Sequence, residues 1–370
     1  MRYLKALDGI RALALLLVII SHWLDKSYFS RAFAPGAIGV DFFFVLSGFL
    51  ITTILLQNRL QAEAQHNSKK VIVKNFFIRR SLRIFPIYYL FVFVCLAVGP
   101  LTETHIRENY LYFLTYTTNF YFYHIQAWDG MVSHLWSLAV EEQFYLLWPW
   151  VILYTPRKYL LFTLLVFISV GLISGYVIAS QGTGYFALYL PFSCFDSFGL
   201  GALLAFILVF HKNHLAVTHR ILGIAAIICG LEALSMQTPW PLPLLPDRTV
   251  YSLIALWLIA HVILSQKQHK KQSALLTNRP LVFLGKISYG MYLYHLPLAW
   301  DAQYMYHYFN RLLPSFFQPY HAYFLFVENM VLLILLSWTS WVVVERPILR
   351  FKHYFDYQAS QPQPIASLST

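Results

Sequence analysis

Long apolar stretches separated by short polar segments run along almost the whole chain. Each stretch holds about 20 residues, the length that an α-helix needs to cross the hydrocarbon core of a bilayer. Charged residues collect between the stretches, and few fall inside them. The pattern predicts an all-α polytopic membrane protein with about ten transmembrane helices, near 9–25, 38–57, 84–99, 134–154, 159–179, 194–211, 219–236, 249–266, 281–300 and 322–344.

Composition and charge support a membrane location. Hydrophobic residues make up 58% of the chain and charged residues only 12%, against about 25% charged in soluble domains. If the N-terminus is cytoplasmic, the inside segments hold 21 Lys and Arg and the outside segments hold five. The positive-inside rule therefore predicts that both termini are cytoplasmic, in a multi-pass protein of the inner (cytoplasmic) membrane. Topology accounts for most of the net charge of +11, so we expect no nucleic-acid partner.

The chain is predicted to form one transmembrane domain, residues 1–355. The polar, Pro-containing segment 356–370 is predicted to be a disordered cytoplasmic tail. We interpret the first apolar stretch as an uncleaved span rather than a signal peptide. Three cysteines fall in apolar stretches, at spacings that indicate neither a zinc site nor a disulfide framework. No pattern specifies an oligomeric state.

One segment between spans, 100–133, is rich in Tyr and Phe. Aromatic rings are enriched where a membrane meets water, which favours an interfacial belt. Aromatic faces also suit sugar rings, and this alternative stays open.

The first apolar stretch carries two ionisable residues, Arg11 and His22. They are eleven residues apart, so they share one helix face about 16 Å apart along the axis. Asp8 precedes Arg11 by one turn and is expected to pair with it. Burying such groups in hydrocarbon is costly, which makes them a functional-site hypothesis. The alternatives are an Arg that extends to the membrane surface and a packed core His.

Two further stretches carry acidic side chains. GVDFFFVLSGFLI places Asp41 inside an apolar helix, and we interpret Ser47 and Gly48 as small residues that let helices pack closely. HLWSLAVEEQFYLLWP carries Glu141, which shares a helix face with His134. A carboxylate in such a place is expected to orient an imidazole or hold a charged partner.

A basic cluster lies in FFIRRSLRIFPIYY. Arg79 and Arg83 are four residues apart on one helical face, and Arg80 lies beside them. Topology alone explains a basic segment on the inside, but lysines would serve topology equally well. Arginine binds phosphate through a planar fork of two donors. The cluster therefore suits a cytoplasmic ligand with several phosphates.

A third polar group lies in KISYGMYLYH. Ser288 and His295 share a helix face, and Tyr289 flanks it. Hydroxyl and imidazole groups in a membrane helix are expected to face an interior cavity rather than lipid. Hydrogen bonding between helices is the competing interpretation.

Taken in order, these motifs resemble the signature of the membrane-bound acyltransferase family 3, from about residue 5 to residue 347. The resemblance implies a ten-helix membrane enzyme that moves an acyl group, most often acetyl, from cytoplasmic acyl-CoA to a hydroxyl of an extracytoplasmic cell-surface glycan. The usual acceptors are O-antigen, exopolysaccharide or peptidoglycan. No metal is expected, and we expect no fused extracytoplasmic hydrolase-like (SGNH-type) domain. The motifs that carry the resemblance are LDGIRALALLLVIISH (7–22), GVDFFFVLSGFLI (39–51), FFIRRSLRIFPIYY (76–89), HLWSLAVEEQFYLLWP (134–149) and ISYGMYLYH (287–295).

The resemblance assigns candidate roles to residues at matching positions. It implies that His22 is catalytic and that Asp41 and Glu141 are recurring polar positions. Our mechanistic hypothesis is that Asp41 or Glu141 holds the imidazole of His22 in the right tautomer. At position 194 the chain departs from the family: relatives often have Arg two residues before the Asp, here Asp196, and this chain has Cys194. The candidate acyl-CoA contacts are Arg11, Arg79, Arg80 and Arg83. The candidate substrate or oxyanion contacts are Ser288, Tyr289 and His295.

Two mechanisms and two other functions stay open. His22 would act either as a general base toward the acceptor hydroxyl or as a nucleophile that forms an acyl-His intermediate. In both, a pantetheine arm would thread between helices while the nucleotide stays inside. The rival functions are an exporter of a glycan or lipid-linked precursor, and a membrane sensor or scaffold. An exporter would favour two repeated halves, and no such repeat is evident.

Overall fold

The computed structural model describes residues 4–25, 27–181, 184–239, 241–268, 274–299 and 321–357. Within these ranges the regular elements are all helical, without a strand, which confirms the predicted all-α polytopic fold. The main helices are α1 (Lys5–Trp23), α2 (Tyr28–Phe33), α3 (Pro35–Ala64), α4 (Lys69–Val98), α5 (Tyr110–Leu114), α6 (Thr118–Ile125), α7 (Leu135–Tyr154), α8 (Arg157–Gln181), α9 (Phe195–Phe210), α10 (Leu215–Ser235), α11 (Asp247–Lys267), α12 (Arg279–Lys286), α13 (288–299) and α14 (His321–Ser340).

Short helical turns connect and extend these helices. A π-helical turn follows α14 and passes through α15 (Arg346–Leu349) into a final 3₁₀ segment. Residues 301–320 and 358–370 lie outside the described residues. Most of the predicted tail 356–370 therefore falls there. The π-helical turn is Trp341–Glu345 and the final 3₁₀ segment is Arg350–Phe355. The other turns are Gly99–Leu101, Gly130–Val132, Tyr185–Tyr189, Pro191–Cys194 and Lys212–His214.

Eight helical segments in the described ranges are long and apolar enough to cross a membrane. Two predicted spans are not among them. The stretch 134–154 forms the 20-residue helix α7, whose apolar character is diluted by Glu141 and Glu142. The stretch 281–300 is not one continuous helix, because a bend at Ile287 divides it into α12 and α13. The prediction of one helix there was wrong.

Helix α3 lies at the centre of the bundle and packs against α1 and α9. Its contact with α9 is close because both helices present glycine. A Cβ atom on Gly48 would lie 2.1 Å from the carbonyl oxygen of Phe198, and one on Gly201 would lie 2.1 Å from that of Val45. Backbones approach this closely only where side chains are absent, which confirms the packing role predicted for Gly48.

The peripheral helix α10 turns apolar side chains outward. Ile224, Ile227 and Leu231 are all exposed on it. A surface of this kind is stable only against hydrocarbon, so the described bundle is a membrane protein with a lipid-facing exterior.

A buried arginine joins α3 to the end of α7. Arg59 donates to the carbonyl oxygens of Ile152 at 2.6 Å and Thr155 at 2.8 Å. These belong to the last turn of α7, where carbonyl groups lack partners within the helix. Glu63 balances the guanidinium charge at 2.9 Å.

Candidate active site

A cavity of about 450 Å³ lies at the end of the bundle that carries His22, the end predicted to face outward. Helices α1 and α3 form one side, and His134 at the start of α7 forms another. Four further aromatic rings, besides that of Tyr292, complete the wall. They are Trp128, Trp136, Tyr185 and Tyr189.

Three histidines from different helices meet beside this cavity. The ring of His295 lies 5.0 Å from that of His22 and 5.1 Å from that of His134, measured between centroids. His295 is fully buried on α13. The sequence analysis predicted His295 as a candidate site residue, and the fold brings its ring against that of His22.

The hydrogen bonds of this cluster define where the protons lie. Nδ1 of His295 is 2.6 Å from the carbonyl oxygen of Tyr292, and a carbonyl only accepts, so Nδ1 carries the proton and Nε2 holds a lone pair. Nδ1 of His22 likewise donates to the carbonyl oxygen of Val18 at 2.9 Å, and it lies 3.3 Å from Nε2 of His295. His22 therefore keeps a lone pair on Nε2, the form that a general base needs.

Asp41 lines the same cavity but does not contact His22. Its carboxylate accepts from Nε of Arg248 at 3.1 Å. Nη1 of Arg248 donates to the carbonyl oxygens of Leu188 and Ser193 and lies 2.7 Å from Sγ of Cys194. Arg248 thus occupies the space beside Cys194.

Asp196 accepts from the hydroxyl of Thr249 at 2.6 Å. Thr249 directly follows Arg248 on α11, so Asp196 lies close to the pair formed by Arg248 and Asp41. Sequence reasoning missed Arg248, which counted only as an outside positive charge. The buried position of Asp41, which requires a cation, was the available signal.

A second, narrower cavity of about 90 Å³ lies deeper in the bundle. Glu141 is in its wall, and its carboxylate accepts from the hydroxyls of Ser47 and Tyr145. The expectation that Asp41 or Glu141 holds the imidazole of His22 is therefore wrong for the described contacts, because both carboxylates bind other groups. Ser47 is also more than a packing residue. Among the predicted site residues, this cavity is lined by Arg11, Arg80, Arg83, Glu141, Ser288 and Tyr289.

Arg11 forms the expected ion pair with Asp8, at 2.8 Å. The pair lies on α1 below His22, and Arg11 faces the second cavity while His22 faces the first. The helix face that Arg11 and His22 were predicted to share thus borders both neighbouring cavities.

A third cavity, of about 360 Å³, lies at the predicted cytoplasmic end. Arg79, Arg80 and Arg83 line it, together with Lys352 and Tyr357 from the final segment. The guanidinium of Arg80 lies 4.9 Å from the ring centre of Tyr145, a favourable cation–π distance. Burial raises the pKa of the Tyr357 hydroxyl, and the positive charges of the nearby Arg80 and Arg79 partly offset this rise.

Arg79 differs from its two neighbours because the final segment already binds it. Its Nη1 donates to the carbonyl oxygen of Lys352 at 3.0 Å and to the carboxylate of Asp356 at 2.8 Å. Asn75 donates to the carbonyl oxygen of Asp356 at 2.6 Å. The start of the predicted tail therefore packs on the basic cluster, a contact between residues about 280 positions apart that periodicity does not reveal.

The three cavities follow one another through the bundle. Val40 and Tyr292 line both the first and the second, and Arg80 and Arg83 line both the second and the third. The shared residues make neighbouring cavities adjacent. Neighbouring cavities thus lie between the basic cluster and the histidines, with Glu141 in the wall of the middle one.

The fold and these cavities define a multi-pass membrane protein with a series of neighbouring interior cavities. The acyltransferase domain model of acyltransferase family 3 matches residues 4–344, and the chain belongs to that family. This confirms the resemblance of the motifs.

Several curated relatives are similar over 80% of this chain. Over 323 residues it is 29% identical to the peptidoglycan O-acetyltransferase OatA of Listeria monocytogenes and 28% identical to the O-acetyltransferase OatA of Staphylococcus aureus. The matched regions cover 49% and 51% of those proteins, so the chain spans about half the length of these relatives. A putative O-acetyltransferase of S. aureus strain COL is 29% identical over 325 residues. No solved structure matches the chain.

Proposed function

We propose that the protein is a membrane O-acyltransferase, in the first instance an O-acetyltransferase. It takes the acyl group from cytoplasmic acyl-CoA and passes it to a hydroxyl of an extracytoplasmic cell-surface glycan. The observation that carries this proposal is the line of three cavities, with arginines at one end and His22 at the other. The printed names of the relatives, O-acetyltransferases that include one for peptidoglycan, agree with it.

The donor nucleotide occupies the basic cavity in this proposal. Arg80 and Arg83 face both that cavity and the narrower one above it. When the arginines hold the phosphates there, the slender pantetheine arm can enter the second cavity. The charged nucleotide stays outside the hydrocarbon region. The arm then points the thioester toward His22, about 16 Å beyond Arg11 along α1.

The reaction joins an acceptor oxygen to the thioester carbon. The acceptor hydroxyl attacks the carbonyl carbon, and its proton passes to the lone pair on Nε2 of His22. The C–S bond breaks as the tetrahedral intermediate collapses, and His22 returns the proton to the departing thiolate of CoA. Ser288 and Tyr289 remain our candidates for donors to the oxyanion. An acyl-His22 intermediate is the alternative order of steps.

The outer cavity suits a carbohydrate acceptor. Its aromatic wall offers flat faces to sugar rings, and the pair of Asp41 and Arg248 offers polar groups to their hydroxyls. We propose acceptors of the class of O-antigen, exopolysaccharide or peptidoglycan, met at the outer face of the cytoplasmic membrane.

The test is transfer from acetyl-labelled acetyl-CoA by the purified protein in liposomes. The acceptors offered are purified O-antigen polysaccharide, exopolysaccharide and peptidoglycan fragments, each followed by mass spectrometry. Wild type should add one acetyl mass to an acceptor, and His22→Ala should lose at least 10²-fold in rate. His219→Ala, on the lipid-facing helix α10, is the matched control and should retain activity. Full activity in His22→Ala refutes the catalytic role, whereas movement of a glycan across the membrane without a mass change supports the exporter.

A further inference from the structure

The basic cavity is lined by several cationic side chains and, among the described residues, by no carboxylate. Four cationic side chains line it: Arg79, Arg80, Arg83 and Lys352. Among the residues that the structure describes, no carboxylate lies within 4.0 Å of the charged nitrogens of Arg80, Arg83 or Lys352. Converging cations that no carboxylate directly pairs attract a polyanion.

Of these four cations, Arg79 alone has an acidic partner among the described residues, and that partner is exposed. The side chain of Asp356 is 69% exposed, and its carboxylate meets Arg79 at 2.8 Å. Ion pairs at such a surface are weak and are easily exchanged for another anion. The carboxylate of Asp356 is therefore better described as an exchangeable counter-ion of Arg79 than as part of a fixed structural ion pair.

The segment that supplies Lys352 and Asp356 is also held by hydrogen bonds that do not involve the carboxylate of Asp356. Its backbone accepts from Arg79 through the carbonyl oxygens of Lys352 and Phe355, and from Asn75 through that of Asp356. Losing the carboxylate of Asp356 thus leaves three hydrogen bonds that hold the segment in place. Lys352 itself is only partly exposed and faces the cavity.

We propose that the segment 350–357 completes the phosphate site for the donor nucleotide, with Lys352 as a phosphate contact and Asp356 as a counter-ion that the phosphate displaces from Arg79. The proposal rests on the proposed function, because it takes the polyanion to be acyl-CoA. It adds two residues that no motif in the chain indicated. In this proposal Asp356 balances the positive charge of Arg79 before the donor binds.

Calorimetric titration of CoA into the full-length protein in phosphatidylcholine nanodiscs tests this proposal. Lys352→Gln should weaken CoA binding about ten-fold or more, because a charge-assisted phosphate contact is lost. Lys352→Arg should retain most of the affinity. Asp356→Asn should strengthen CoA binding about two- to five-fold, because a competing surface ion pair is removed.

Arg350→Gln is the matched control, because it removes one positive charge from an exposed position in the same segment outside the cavity. Equal weakening by Arg350→Gln and Lys352→Gln overturns the specific contact in favour of general electrostatics. Weaker or unchanged binding in Asp356→Asn overturns the counter-ion role. Loss of CoA binding when anionic lipid is added to the nanodiscs assigns the cavity to lipid headgroups and also overturns the proposal. Absence of CoA binding by wild type in every lipid contradicts the proposed function instead.

Discussion

His295 is expected to accelerate acyl transfer by stabilising the protonated form of His22. In the resting structure, Nδ1 of His22 already donates to the carbonyl oxygen of Val18 at 2.9 Å, so His295 is not needed to fix the tautomer. Its lone pair on Nε2, 3.3 Å from Nδ1 of His22, gains importance once His22 accepts a proton. The bond then becomes charge-assisted.

The size of the effect follows from that change. A hydrogen bond to a charged group contributes about 1.5–3 kcal/mol, against about 0.5–1.5 kcal/mol between neutral groups. The difference, about 1–1.5 kcal/mol, is what protonation adds, so His295→Ala should lower kcat about five- to 15-fold. KM for acetyl-CoA should hardly change, because His295 lines neither the basic cavity nor the one above it.

Initial rates of acetyl transfer in liposomes measure both constants. His295→Gln should recover part of the loss, because its amide oxygen can accept from His22. Met291→Ala is the packing control: Met291 is fully buried one turn earlier on α13, and it removes volume without a hydrogen bond to His22. An unchanged kcat in His295→Ala refutes the reasoning, and so does an equal loss in Met291→Ala.

Three further predictions concern the cavities and the bundle. Val40→Trp should close the junction between the first two cavities and abolish transfer while CoA binding measured by calorimetry persists; loss of both would instead indicate misfolding. Gly48→Ala should lower the thermal midpoint in detergent, because its Cβ would lie 2.1 Å from the carbonyl oxygen of Phe198, a strain of about 1–3 kcal/mol; an unchanged midpoint would contradict the close helix contact. Arg59→Ala should destabilise the protein by about 1–3 kcal/mol, because buried carbonyl groups at the end of α7 lose their donor. Arg157→Ala is the control: its pair with Glu63 is more exposed, so this change should cost less than about 1 kcal/mol in the same assay.

The helical fold and much of the candidate site follow from local sequence patterns. A 20-residue apolar stretch has few alternatives to a membrane helix, because every backbone group must be bonded internally in hydrocarbon. Helical periodicity placed Arg11 and His22 on one face and predicted the pair with Asp8, which the structure contains. Isolated polar groups in apolar helices also identified Glu141 and His295 as interior residues. Their catalytic roles stay predictions.

Partners that lie far apart in the chain were decided by the tertiary structure. Asp41 pairs with Arg248 on α11, and Glu141 binds Ser47, because packing of α3, α7 and α11 brings these side chains together. Each of these contacts joins different elements, and helical periodicity carries information only within one element.

The same limit applies to the two ends of this series of cavities. The sequence by itself determined that the membrane bundle carries arginines toward one face and His22 toward the other, because hydrophobicity and charge act on each span separately. Only the tertiary structure decided that neighbouring cavities lie between them, that His295 lies against His22, and that Lys352 and Asp356 lie on the basic cluster. Those contacts depend on how helices distant in sequence pack, a long-range property that no local pattern encodes.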